Sequence, residues 1–261
     1  MAVLGKCKLC LRDAVELQDS HYLPKGTYKR LRSEGAKKKD PVLITKTNTV
    51  QTSFQLKRHL FCKACEDRLN SGGEAWILKH CLQADGTFPL RDILYSLTPD
   101  LQSPRVPTKI YSAKKIPEVD VAKVAYFAAS IFWRGSIHGW NEDGSVPIVL
   151  GPFQERFRKY LLGEESFPGD ACLWVYVRER GGVEQLTFTP TQGRVDGLHT
   201  CRFPMPGFAF LLIVSKNTPA SHRNMCFVNA PGNPVFLTPA LEPLLLDEAM
   251  KLLALQQKRA I

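Results

Sequence analysis

Two Cys-x-x-Cys pairs, Cys7-Lys8-Leu9-Cys10 and Cys62-Lys63-Ala64-Cys65, constrain the first part of this chain more than any hydrophobic pattern does. At that spacing a tight turn presents both sulfurs to one side. Two such turns supply the four thiolates of a closed tetrahedral zinc site, with Zn–S bonds of about 2.3 Å. A single pair also suits a redox dithiol. Two pairs in one basic segment favour a structural Zn²⁺ on Cys7, Cys10, Cys62 and Cys65, with no position left open for catalysis. The 51 residues between the pairs exceed a simple zinc ribbon, so a functional insertion is expected there.

Charge points to the same part of the chain. Residues 1–80 hold 16 Lys and Arg against 8 Asp and Glu, whereas the remaining 181 hold 19 against 17. Even with two units removed by a four-thiolate zinc centre, the segment keeps an excess that attracts a polyanion, and nucleic acid is the expected partner. Lys25, Lys29, Arg30, Arg32, Lys37, Lys38, Lys39 and Arg58 are the candidate contacts. The amino terminus meets Lys6 after a few apolar residues, which is not a signal-peptide pattern. The longest apolar run, Val124 to Trp133, is shorter than the roughly 20 residues a membrane span requires. A cytoplasmic location without membrane association is therefore expected, and thiols stay reduced there.

The predicted class is α+β, with a zinc module over 1–95, a Pro-rich linker over 96–117 and an α+β domain over 118–261. Pro99, Pro104, Pro107 and Pro117 mark the linker. Helical spacing predicts a helix over 119–133 ended by Gly135. A second is predicted over 153–162 with Gly163 just past its end, and a third over Glu242–Gln257. Cys172–Val177, Gln185–Thr189, Phe208–Val214 and Cys226–Asn229 read as strands of a mostly antiparallel sheet. Trp133, Trp140 and Trp174 are assigned to the core. His199 and His222 fall in turns, and Cys172, Cys201 and Cys226 are isolated along the chain. Recognition of a protein partner is one reading of this second half.

The insertion carries Asp19-Ser20-His21-Tyr22-Leu23-Pro24 soon after the first cysteine pair. A first knuckle, an acid-His pair with a proline, a loop and a second knuckle follow in an order that resembles the HNH endonuclease superfamily over residues 5–76. Ser-His-x-x-Pro early and Cys-x-x-Cys-Glu late are similar to a subset of bacterial HNH-like proteins, which suggests a link to bacterial defence. The resemblance implies a treble-clef ββα-metal finger, His21 as general base, and a catalytic Mg²⁺ or Mn²⁺ distinct from the zinc. Phosphodiester cleavage needs a neutral imidazole to deprotonate water and a cation to neutralise the phosphate.

This chain departs from that pattern at the cation ligands. Ser20 stands where an acidic or imidazole ligand is common, Lys57 or Leu56 near the usual asparagine, and Glu66 where a histidine follows the last cysteine. Either Glu66, with Glu74 eight residues on, supplies the ligands, or the catalytic metal is gone. Glu66 also suits a first-turn acid favoured by the helix dipole, and His59 is an alternative base. Two functions follow. One is a metal-dependent HNH-type nuclease using His21 and Glu66. The other is a zinc module that binds nucleic acid or a partner without cutting.

Overall fold

The computed structural model describes residues 2–31, 40, 42–44, 49–102, 107–140, 144–179 and 187–239. Arg32, Lys37, Lys38, Lys39 and the expected helix Glu242–Gln257 lie outside the described residues. The architecture is α+β with largely antiparallel sheets, as the sequence predicts.

The chain opens with β1 (Val3–Gly5) and β2 (Val15–His21), with the first cysteine pair in the turn between them. After α1 (Lys25–Arg30), a hairpin of β3 (Val42–Ile44) and β4 (Thr49–Gln51) precedes β5 (Lys57–Cys62). β1, β2 and β5 form one antiparallel sheet in that order. Its register sets Cys62 opposite Leu17 and His21 opposite Lys57, so the paired cysteines gather at one end and His21 lies at the other. Strand rise makes those ends about 13 Å apart.

Helix α2 (Lys63–Leu69) starts directly after Cys62 and passes through a π-helical turn (Asn70–Glu74) into α3 (Ala75–His80). The two glycines of that turn, which sequence reasoning treats as a possible stop, are there for close approach. A Cβ on Gly73 would lie 2.6 Å from the Lys123 carbonyl oxygen and 2.7 Å from the Phe127 nitrogen. Gly73→Ala is expected to destabilise the protein by about 1–3 kcal/mol through overpacking, although alanine is the better helix former. Denaturant titration checks this, and an unchanged midpoint would mean that position 73 accommodates a methyl group.

α4 (Pro89–Tyr95) leads to β6 (Leu101–Gln102), β7 (Lys109–Ser112) and a 3₁₀ turn, Ala113–Lys115. Beyond these come α5 (Val121–Ile137), α6 (Phe153–Leu162), β8 (Ala171–Arg178), β9 (Thr191–Val195), β10 (Leu198–Met205), β11 (Phe208–Val214), α7 (Ala220–Arg223) and β12 (Pro234–Thr238). A seven-stranded sheet runs β6-β7-β12-β8-β11-β10-β9, antiparallel at every pairing except β12 with β8.

Several elements differ from the sequence reading. Segment 96–117 contributes β6 and β7 to the sheet edge, a place where flanking prolines are tolerated because no ladder donor is lost. Helix α5 continues past Gly135 to Ile137, since Gly135 packs beside the Tyr22 hydroxyl, which would lie 3.2 Å from an added Cβ. Cys226–Asn229 forms a turn, and of the strand expected over Gln185–Thr189 the described part, 187–189, is irregular. β10 and β12 carry Pro204 and Pro234, which masked them in the sequence. His199 lies in β10 and His222 in α7. Helix α6 and strand β11 match the predicted ranges, with Gly163 left-handed at φ 75° as the helix terminator.

Buried side chains from Cys7 through Phe127 to Leu237 form one continuous core, with Trp133 and Trp140 inside it. Among the described residues no helix is long and apolar enough to cross a membrane.

Candidate metal centre and the His21 face

The four cysteine sulfurs lie within 4.8 Å of one another. The Cys10 and Cys62 sulfurs are 3.8 Å apart, which matches the edge of about 3.8 Å for a tetrahedron with 2.3 Å Zn–S bonds. The donor set therefore fits a metal ion such as zinc. Backbone geometry holds the first knuckle open: the Cys7 amide donates to the Arg12 carbonyl, the Leu11 amide to Cys7 and the Lys8 amide to Leu60, each at 2.9 Å. Leu11 closes that turn at φ 59°, a left-handed conformation that a non-glycine residue keeps only when its surroundings impose it. The Cys7 thiol is drawn down to about 4 by a hydrogen bond from the Cys65 thiol, helped by the amides of Cys62, Cys10 and Leu9. That favours the thiolate a metal requires. Arg12 points its guanidinium at the cluster, Nε at 3.4 Å from the Cys10 sulfur and Nη2 at 3.6 Å from the Cys62 sulfur, and offsets its negative charge.

At the far end of β2 the half-buried His21 ring places Nε2 2.8 Å from the Gln55 amide oxygen. The His21 carbonyl and that of Tyr22 accept from Nη1 of Arg134 at 3.3 and 3.0 Å. Arg134, from α5, is 1% exposed, and its Nη2 forms an ion pair with Glu74. The negative charges of Glu74 and Glu66, together with the hydrogen bond to Glu74, hold Arg134 protonated against the cost of its burial. One carboxylate oxygen of Glu66 is buried with no hydrogen-bond partner. Glu66 lies in the first turn of α2, where the helix dipole favours an acid. Its charge and that of Glu74 both act on the Arg134 guanidinium. Among the described residues no second set of three His, Cys or carboxylate donors converges as the cysteines do.

The candidate basic contacts divide by geometry. Arg30 is tied inward, to the carbonyls of Gly26 and Leu78 and at 2.8 Å to Gln83. Lys57 pairs with Asp19 at 2.7 Å, and Lys63 pairs with Asp67. Lys25, Lys29 and Arg58 are exposed. Lys8 is exposed as well, and its charge joins that of Arg58 and partial burial in pushing the His138 pKa down, so positive potential reaches that face. His59, with Nδ1 3.4 Å from the Leu17 carbonyl, is exposed beside the same strand.

Two residues central to this arrangement escape sequence reasoning. Gln55 carries no spacing signal. Arg134 does carry one: it is a single charge in the apolar run Ile131-Phe132-Trp133-Arg134, and a charge there must find a partner. No protein-family profile, curated protein or solved structure matches the chain.

Proposed function

We propose that residues 1–95 act as a zinc-stabilised finger of HNH type that binds nucleic acid through its exposed cations, with the catalytic cation of that frame replaced by the buried Arg134. The observation that carries this reading is the Arg134–Glu74 ion pair, its guanidinium on the His21 carbonyl and facing Glu66. A divalent cation prefers hard oxygen ligands with net negative charge. Glu74 in the π-helical turn is held in an ion pair by the fixed guanidinium of Arg134, and Glu66 on α2 lies in the field of the same group, so these acids do not fit Mg²⁺ or Mn²⁺. Zinc holds the finger together. Lys8, Lys25, Lys29 and Arg58 supply the phosphate contacts. Association with a bacterial defence system and a protein partner for residues 118–261 belong to the same proposal.

Phosphate contacts release counterions, so affinity is expected to fall steeply with salt and to depend weakly on base sequence. Replacing Lys25, Lys29 and Arg58 by Glu is expected to lower duplex affinity at least about tenfold and to flatten the salt slope by roughly one contact per residue. Arg30→Ala is expected to lower stability instead, because its donors serve Leu78 and Gln83. Fluorescence anisotropy with labelled duplex DNA and RNA at several salt concentrations checks both. Unchanged affinity in the triple variant would remove this surface.

The nuclease reading keeps one supporting observation, the 2.8 Å contact of His21 with Gln55, which would fix an imidazole for base catalysis. Cation-dependent cleavage that disappears in His21→Ala would favour it.

A further inference from the structure

The main core takes one face of the seven-stranded sheet. Val175, Val177 and Leu237 belong to that core, where Phe127 of α5 packs on Phe203 and Phe210. By strand alternation Trp174 and Tyr176 of β8, Phe236 of β12, Leu211 of β11 and Arg202 of β10 lie on the opposite side. Residues paired across strands share a face, so the register lays out an apolar row there: Leu101, Ile110, Phe236, Tyr176, Ala209 and Pro204. At the usual strand spacing this row is about 24 Å long. A neighbouring row sets Trp174, Leu211 and Arg202 side by side. The aromatic rings adjoin, with centroids 5.1 Å apart for Tyr176 and Phe236 and 5.9 Å for Trp174 and Phe236. His222 stacks on Trp174 at 5.4 Å and borders the patch at that end. Trp174, Tyr176, Leu211 and Arg202 are half-buried and Leu101 is 59% exposed, so solvent reaches the face.

Charge on this sheet has one sign. Its seven strands contain no Asp or Glu, and no acid occurs anywhere from Gly197 to Thr238, a stretch that carries Arg202, Lys216 and Arg223. Elsewhere on the sheet Lys109 pairs with Glu179 at 2.7 Å and Arg194 donates to the Gly197 carbonyl at 2.9 Å. Arg202 has no hydrogen-bond or ion-pair partner among the described residues. Burial pushes the Tyr176 hydroxyl up and the charge of Arg202 pulls it the other way, so the guanidinium lies beside that ring. We propose that this face binds single-stranded nucleic acid, with unpaired bases stacking on Trp174 and Tyr176 and Arg202 holding a phosphate. Every base has a π face, so stacking of this kind tolerates any sequence, whereas the bases of a duplex are already stacked on one another. A half-buried guanidinium without a carboxylate has lost hydration that a phosphate oxygen restores through charge-assisted hydrogen bonds. The surface is distinct from the cations of the finger, so the proposal stands independently of duplex binding there.

Zinc-loaded full-length protein, mixed at low salt with labelled oligothymidylate or oligouridylate of about twelve nucleotides, tests this by anisotropy and by photo-crosslinking mapped with mass spectrometry. Crosslinks are expected on the β8 peptide with Trp174 and Tyr176, and the two oligonucleotides show whether DNA or RNA is preferred. Arg202→Glu should weaken single-strand binding at least about tenfold and leave duplex affinity nearly unchanged. Tyr176→Ala should weaken it at least about fivefold, the loss of one stacked base. Replacing Lys25, Lys29 and Arg58 by Glu should instead act mainly on duplex, which separates this face from the finger. Three results would overturn the proposal: no single-strand binding by the wild-type protein, as expected if a protein segment occupies the face; crosslinks confined to residues 1–95; or unchanged single-strand affinity in a folded Arg202→Glu protein. The wild-type crosslink map decides even if a variant fails to fold.

Discussion

Loss of the metal should unfold the amino-terminal finger while leaving much of the seven-stranded sheet in place. Purified protein is expected to contain about one zinc per chain. Stripping it, or replacing Cys62 by Ser, should abolish protection of the β1, β2, β5 and α2 amides in hydrogen exchange. Cys₄ sites in isolated fingers contribute about 10–16 kcal/mol of apparent binding free energy at neutral pH. The loss here should be smaller, because α5 and α6 also hold the finger: Arg158 donates to the Leu9 carbonyl at 2.9 Å, and Tyr22 to the Ile131 carbonyl at 3.1 Å. Repulsion adds to the cost: without the ion, four sulfurs within 4.8 Å of one another cannot all be thiolates without opposing one another. Protein free of zinc with full protection of β5 would contradict a structural metal.

The second large effect should come from Arg134. Arg134→Leu leaves Glu74 and Glu66 facing an apolar site and removes the donors of the His21 and Tyr22 carbonyls, so about 3–5 kcal/mol of stability should be lost. For a chain of this size that corresponds to a fall in melting temperature of about ten degrees. The double variant Arg134→Leu with Glu74→Leu should recover part of the loss, because no ion is then left unpaired in that pair. Calorimetry of the four proteins in the cycle measures the coupling. Additive losses would mean that Glu74 does not pair with Arg134 in solution.

What could be read in advance follows the range of the forces involved. The cysteine pairs and the helix ending at Gly163 are local signals, each needing only a few neighbouring residues, and they reappear in the fold at the expected positions. Strand β11, an unbroken apolar run of seven residues, was equally readable. Strands β10 and β12 were not, because Pro204 and Pro234 argue against a ladder and only tertiary pairing places them in one. Gly72 and Gly73 carry a packing role that no local rule distinguishes from a helix stop. The inward turn of Arg30 and the meeting of Cys172 with Cys226 depend on residues about 50 positions away, so composition and spacing are silent on them. Arg134 was visible as a charge in an apolar helix, but its partners were not.

The His21 face is expected to bind nucleic acid without cutting it. Zinc-loaded protein should be mixed with labelled duplex DNA or RNA in magnesium-free buffer and again with added Mg²⁺ or Mn²⁺, with bound and cleaved fractions read from the same samples. Salt-sensitive binding that needs no divalent cation, with the nucleic acid recovered intact, is the expected result. Cleavage that requires Mg²⁺ or Mn²⁺ and vanishes in His21→Ala would contradict it.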